Sequence, residues 1–305
     1  MEDVHIIPGE RSTVAADKVT DPLRSGHTSS FKVNVDLVLV PVTVTDQMNR
    51  LVTGLDKSNF QVYENRQLQT VQYFSNVDAP VSIGIIFDSS GSMVSKSERA
   101  RQAIVEFLNT ANPQDEFFLI TFNDTPAETV DFTESVEEIQ NRLIFAMPQG
   151  RTALLDALYL GISKMQKAKY PRKAVLIISD GGDNHSRYTE HELTGAIKEA
   201  DVTIYAIGIY DHYFPTEEER LGPALLTEIS ELTGGRTFTI DNPNDLLDAA
   251  SKISVELRNQ YLLGYRPQTP AHDGKWHKIR VKLTLPKGLP PLQAHAKQGY
   301  YASSD

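Results

Sequence analysis

Asp88-Ser89-Ser90-Gly91-Ser92 places one carboxylate and several hydroxyls in a short stretch, directly after the apolar run VSIGIIFD. A second apolar run, KAVLIIS, ends on Asp180, and Thr152 stands between them just ahead of a helical pattern. Apolar runs of this length, bounded by turn residues, read as buried strands. In an open parallel sheet ligands collect in the crevice at the carboxyl ends of the strands, so the sequence places Asp88, Ser90, Ser92, Thr152 and Asp180 at one edge. Oxygen donors alone suit a hard cation, and short-armed ligands plus water suit the octahedron of Mg²⁺ better than the wider shell of Ca²⁺. Mn²⁺ and Ca²⁺ remain alternatives. Two aspartates neutralise Mg²⁺ only formally. If one of them binds through water, the metal keeps positive character and an open position for a partner's carboxylate.

The elements that must hold these residues alternate along the chain. From Val81 onward strands and helices succeed each other: a helix over Ser97 to Ala111 with Ala100, Ala103, Ile104, Phe107 and Leu108 on one stripe, a strand from Phe117 to Phe122, and a possible antiparallel return from Ala127 to Phe132. Helices follow over Val136 to Met147, Leu154 to Ala168, Glu190 to Ala200, Pro223 to Thr233 and Asn244 to Asn259. The intervening strands are Ala174 to Ser179, Val202 to Ile209 and Arg236 to Ile240. This is the pattern of an α/β, doubly wound, mostly parallel sheet. Gly234-Gly235 reads as a left-handed helix stop.

The flanks read as strands. Phe31 to Asp46 alternates through Val33, Val35, Leu37, Leu39 and Val40. Phe60 to Glu64 and Leu68 to Phe74 surround a hairpin signal at Asn65-Arg66-Gln67, and Tyr261 to Arg266, Trp276 to Leu285 and Leu292 to Tyr301 close the chain. Each flank is too small to bury a core alone. The sequence therefore predicts a flexible arm over 1–30, one all-β domain made from 31–79 and 260–305, and the α/β domain, 80–259, inserted between them.

The chain has 305 residues, no cysteine and a formal charge of −10. Disulfides, zinc–thiolate sites and thiol catalysis are excluded, and the charge argues against a general polyanion or nucleic-acid binder, because nothing in the sequence offers a basic face to collect phosphates. No apolar run approaches the ~20 residues of a membrane helix. The start, MEDVHIIPGERS, is acidic and polar and does not read as a signal peptide.

D-x-S-x-S at 88–92, with Thr152 and Asp180, resembles the metal-ion-dependent adhesion site of von Willebrand factor A domains and integrin inserted domains, over about residues 80 to 258. The resemblance implies direct ligation by the serines and the threonine, with one or both aspartates acting through water. It implies a non-enzymatic module for protein interaction or adhesion, and a location outside the cytoplasm. The flanks LVLVPVTVTD, ELRNQYLLGYRP and QGYYA are similar to a bacterial subgroup first noted in Acidobacteria.

Plainer roles compete at each position. A serine-rich turn often only caps a helix, but Ser95 or Ser97 can do that here. Thr152 is a candidate cap, a ligand, or both. Asp183 either orients coordinated water or serves the turn Gly181-Gly182-Asp183-Asn184. Arg151 reads as solvated or ion-paired, and His185 with His191 matches no zinc spacing. The loop Tyr210 to Arg220, with Tyr213, Phe214 and three glutamates, either sets partner specificity or is a solvated insertion. Trp276 and the tyrosines near 300 read as β-domain core. A Mg²⁺ phosphohydrolase is the enzymatic alternative, weakened by Ser at position 90 and by the lack of a general base near the site. A chelatase- or ATPase-partner subunit is a third reading.

Overall fold

The computed structural model describes residues 37–210, 217–267, 273–285 and 290–302. In chain order these form β1 (Val38–Thr45), β2 (Phe60–Glu64), β3 (Gln67–Gln69), β4 (Val71–Ser75), β5 (Ser82–Asp88), α1 (Ser97–Asn109), β6 (Glu116–Phe122), β7 (Pro126–Thr133), α2 (Val136–Leu143) and α3 (Leu154–Met165). They continue with β8 (Lys173–Ser179), α4 (Glu190–Glu199), β9 (Thr203–Ile209), α5 (Glu217–Thr233), β10 (Thr237–Ile240), α6 (Leu246–Arg258), β11 (Tyr261–Tyr265), β12 (Trp276–Leu283), β13 (Gln293–Ala296) and β14 (Gly299–Tyr301). The predicted arm, the first part of the predicted opening strand, and the 211–216 loop with Tyr213 and Phe214 lie outside the described residues.

The central sheet has the order β10-β9-β8-β5-β6-β7; every pairing is parallel except that of β7, which returns antiparallel on the edge. Its four inner strands, β5, β6, β8 and β9, are buried on both faces, which is why they read as largely apolar runs. Alternation splits their side chains between two cores. Ile83, Ile85 and Phe87 face α1 and α6, whereas Ile86 faces α3 with Val175 and Ile177. The fold is thus the predicted doubly wound sheet.

The flanks form two four-stranded antiparallel sheets, β13-β1-β11-β4 and β14-β12-β2-β3, which share one core around Val40, Val42, Val62, Leu263 and Ile279. N- and C-terminal strands interleave in both, with Val42 opposite Tyr261 and Val62 opposite Val281. The hairpin at Asn65-Arg66 has both residues at positive φ, 46° and 74°, the signature of a tight two-residue turn that matches strand twist.

Several expectations are corrected. The inward residues of β1 are Val38, Val40, Val42 and Val44, so of the described positions named in the alternating run Val40 is inward, whereas Leu39 is half-buried and Leu37 exposed. Both faces looked apolar because the odd face is also covered: Thr43 is buried with its hydroxyl 3.3 Å from that of Tyr205 in the central sheet. Leu68 to Phe74 is not one strand but β3 and β4, in different sheets, because the chain steps across the sandwich at Thr70. Leu292 to Tyr301 is likewise divided at Lys297-Gln298 into β13 and β14. Pro223 lies inside α5 rather than at its start, and Gly222 relieves the crowding a proline imposes on the residue before it. The stop at Gly234 is present, with φ 82° and Gly235 N–H donating to Ser230 O at 3.0 Å. Trp276 is only half-buried and Tyr301 is exposed, so neither is core.

Candidate metal centre

β5 and β8 are adjacent and parallel, so Asp88 and Asp180 emerge at the same carboxyl edge. Both are buried, 0% and 1% exposed, as are Ser90 and Thr152, while Ser92 faces solvent. Burial of ionised carboxylates is costly unless they are paired. What each one meets therefore decides what the site can do.

Asp88 is held twice. Its Oδ1 accepts from the Ser90 N–H at 2.8 Å, and its Oδ2 accepts from the Ser179 hydroxyl at 2.6 Å. Burial first, and then repulsion from Asp180, pushes its pKa up to about 7 against the pull of those hydrogen bonds. Asp180 is held less. Its Oδ2 lies 3.4 Å from the ammonium of buried Lys96, while its Oδ1 is buried with no hydrogen-bond partner among the described residues. Tyr210, also near Asp180, has a buried hydroxyl without a partner among those residues, and burial and the Asp180 charge push its pKa up. Ser90 Oγ and Ser92 Oγ are 3.0 Å apart.

The loops that carry these residues are tied together by backbone. Gly91 N–H donates to Gly150 O at 3.0 Å and Gln149 N–H to Ser89 O at 2.9 Å, joining the serine loop to the Thr152 loop. Asn184 closes the other side: its side-chain oxygen accepts from Thr152 N–H, and its own N–H, like that of His185, donates to Thr152 O. Gly181 has φ 77°, and a Cβ there would sit 2.7 Å from the Gly222 backbone, so only glycine lets α5 approach this loop. Gly150, at φ 75°, is similarly crowded by the Asp124 carboxylate.

The structure brings the sequence-predicted residues to one edge and reassigns some neighbours. Thr152 does not cap α3; the N-cap is Ala153, without a side-chain bond. Asp183 takes that work, its Oδ1 accepting from Leu154 N–H at 2.8 Å, Leu155 N–H at 3.3 Å and Ser186 Oγ at 2.6 Å, which ties the Gly181-Gly182-Asp183-Asn184 turn to the helix start. Neither Ser95 nor Ser97 caps α1: the cap position is Lys96, and Ser97 Oγ reaches Val94 O. Arg151 pairs with His185 at 3.1 Å on the exposed rim. Lys96, Ser179 and Tyr210 were missed by sequence reasoning, because nothing in their spacing points to Asp88 or Asp180.

The donors present fit a hard divalent ion: carboxylates and hydroxyls, all oxygen, with one buried carboxylate oxygen unsatisfied. Asp88, Ser90, Ser92, Thr152 and Asp180 are the residues that would hold it. No group of three or more His, Asp or Glu that could hold a metal occurs among the described residues. A site here therefore depends on its hydroxyls.

Similarity to known proteins agrees with this architecture. The chain is 30% identical over 95 residues to inter-alpha-trypsin inhibitor heavy chain H4 of Bos taurus, a match covering 29% of this chain and 10% of that one. It is 24% identical over 195 residues to an uncharacterized protein, sll0103, of Synechocystis sp., covering 60% of this chain and 44% of that protein. It therefore spans less than half the length of either curated relative. A solved von Willebrand factor type A structure from Catenulispora acidiphila superposes with a TM-score of 0.52 over 90% of this chain and 75% of that chain, at 13% identity, which shows the same fold. The model of the von Willebrand factor type A domain matches residues 82–252, from the start of β5 into α6. With more than half its length inside that match, the chain belongs to the von Willebrand factor type A domain family.

Proposed function

We propose that this chain is a non-enzymatic binding module that holds one Mg²⁺ through Asp88, Ser90, Ser92, Thr152 and Asp180 and completes it with an acidic side chain of a protein partner. Domains of this family are generally interaction modules and often bind a divalent metal. The observation that carries the reading is the unsatisfied Asp180 Oδ1, buried beside Asp88. A buried carboxylate oxygen with no donor is costly, and a cation at that oxygen removes the cost. Bound there, the ion supplies positive charge to an incoming carboxylate. Asp88 and Asp180 hold charge in place, and the Ser90, Ser92 and Thr152 hydroxyls add ligation without adding charge.

The domain frame belongs to the same proposal: residues 80–259 as the metal-bearing body, inserted between β-domain parts 31–79 and 260–305. A protein partner outside the cytoplasm is the setting that the family resemblance favours. No described helix is long and apolar enough to cross a membrane.

Titration calorimetry with MgCl₂ and MnCl₂ tests the metal. One ion per chain is expected, with binding abolished in Asp88→Ala and Asp180→Ala while circular dichroism stays unchanged. No saturable binding by the unaltered chain overturns the site. Metal-dependent turnover in a phosphatase panel overturns the non-enzymatic reading instead.

A further inference from the structure

The other end of the molecule carries a feature that the metal edge does not explain. A cleft of about 940 Å³ opens between β12 and β13, floored by Glu231, Gly234 and Gly235 at the end of α5. Its walls are lined by consecutive residues, 278–282 on one side and 293–298 on the other. Consecutive rather than alternate lining means that strand edges, not only strand faces, meet the opening.

The pairing agrees. β12 pairs with β14 only over Trp276–Lys278, while Ile279–Leu283 pairs with β2 on the other side. Along the β14 side Ile279 N–H donates to Gln298 O, and by the alternation of an antiparallel ladder the amides of Val281 and Leu283 point the same way. No strand among the described residues pairs with β12 there, and β13 is itself the edge of its sheet. An unpaired edge is a template for another strand.

Charge defines what that strand can be. Lys278, Arg280 and Lys282 are exposed on one face of β12, spaced by two residues, with Arg66 nearby on the β2–β3 turn. None of these four makes an ion pair among the described residues, whereas Lys297 is already paired with Asp201 at 2.6 Å. Glu231 is the one carboxylate in the lining. In a chain of net charge −10 this is a concentrated cationic row. A neighbouring strand presents its side chains opposite those of β12 with the same period of two.

We propose that this cleft binds an extended acidic peptide segment by strand addition to the edge of β12 beyond its pairing with β14, with Asp or Glu at alternate positions facing Arg280 and Lys282, and Lys278 at the end of the cationic row. Backbone hydrogen bonds supply the docking and the cationic row supplies selection, as in other strand-addition complexes. Screening over ~8 Å at physiological salt confines the repulsion of the remaining acidic surface to its own neighbourhood. The proposal is independent of the metal site.

Fluorescence anisotropy with the full chain and a fluorescein-labelled eight-residue peptide alternating Glu and Val tests it. A second peptide of the same sequence carries N-methyl groups on alternate backbone nitrogens, which removes donors without altering the protein. Saturable binding is expected, weakened at least tenfold by N-methylation and at least tenfold in Arg280→Glu/Lys282→Glu, whose exposed positions leave the melting temperature unchanged. Equal binding of both peptides would mean attraction of any polyanion and overturns strand addition. No saturable binding, or binding indifferent to the double substitution, would leave the basic row as a guard against edge-to-edge aggregation and overturns the site.

Discussion

Glu64 in the β-sandwich and Asp180 at the sheet edge are both carboxylates removed from water, 6% and 1% exposed, and they are treated in opposite ways. Glu64 is surrounded by donors. The Tyr265 hydroxyl reaches Oε2 at 2.7 Å, His277 Nδ1 reaches Oε1 at 2.7 Å, and Tyr300 adds a hydroxyl at 3.3 Å. Asp180 has Lys96 at 3.4 Å on one oxygen and nothing among the described residues on the other. A closed network needs nothing from outside and fixes the packing of β2, β11, β12 and β14 around it. An open one retains an unmet interaction that a ligand can complete. The contrast is between a buried carboxylate whose donors the fold supplies and one that keeps an oxygen without a donor among the described residues.

The largest expected effect breaks the closed side. Glu64→Ala leaves two tyrosine hydroxyls and an imidazole facing an apolar hole, and should cost about 3–5 kcal/mol in urea unfolding, whether or not Mg²⁺ is present. A loss under 1 kcal/mol would mean that the network adds little beyond packing. The matching change on the open side, Asp180→Asn, should cost less metal-free stability than Glu64→Ala, since the amide oxygen still accepts from Lys96 while a carboxylate oxygen without a donor is removed. It should, however, abolish the gain from Mg²⁺, which for the unaltered chain at a hundredfold excess over Kd is about 2.7 kcal/mol. Equal metal-free losses at Glu64 and Asp180 would erase the distinction between them.

Lys96→Met sharpens the open side further. The Lys96 ammonium competes electrostatically with any cation at Asp180, and a methionine of similar length keeps the packing. Calorimetry should show Mg²⁺ binding about tenfold tighter, equivalent to ~1.4 kcal/mol. Weaker binding would instead assign Lys96 to holding Asp180 in position.

Much of the open side was legible in the sequence and almost none of the closed side. Asp88 and Asp180 each end an apolar run, so strand context alone places them at one edge. The D-x-S-x-S spacing then supplies hydroxyls within a single turn. Glu64 meets Tyr265 across 201 residues of sequence, and neither position has a local signal, since a glutamate at a strand end reads as solvent-exposed. The breaks at Thr70 and Lys297-Gln298 were hidden for a related reason. Periodicity reports which face a side chain occupies but not which sheet the strand joins. The alternating run does not fix the phase of β1, because covering of both faces, by the sandwich core and by Tyr205, removes the polar side that would set it.

The smallest effect tests the closed network by pH. His277 presents both ring nitrogens to carboxylates, Nδ1 to Glu64 at 2.7 Å and Nε2 to Asp273 at 3.2 Å, with Asn65 Nδ2 3.3 Å from Nδ1 and the Tyr300 ring packed at 5.5 Å. Burial alone would lower its pKa, but the hydrogen bonds and charges of Glu64 and Asp273 outweigh it and hold the imidazolium above the usual histidine range. The folded chain therefore keeps a proton that the unfolded chain gives up near 6.5. The resulting stability is fully present below about pH 6.5 and is lost as pH rises through the higher folded value, with a slope of at most ~1.4 kcal/mol per pH unit for a single proton. His277→Gln retains a hydrogen-bonding side chain but cannot titrate. Its unfolding free energy should fall below that of the unaltered chain at pH 6, and the two should converge toward pH 9. Parallel curves across that range would show that the proton is not what binds His277 to Glu64, leaving the closed network held by neutral hydrogen bonds alone.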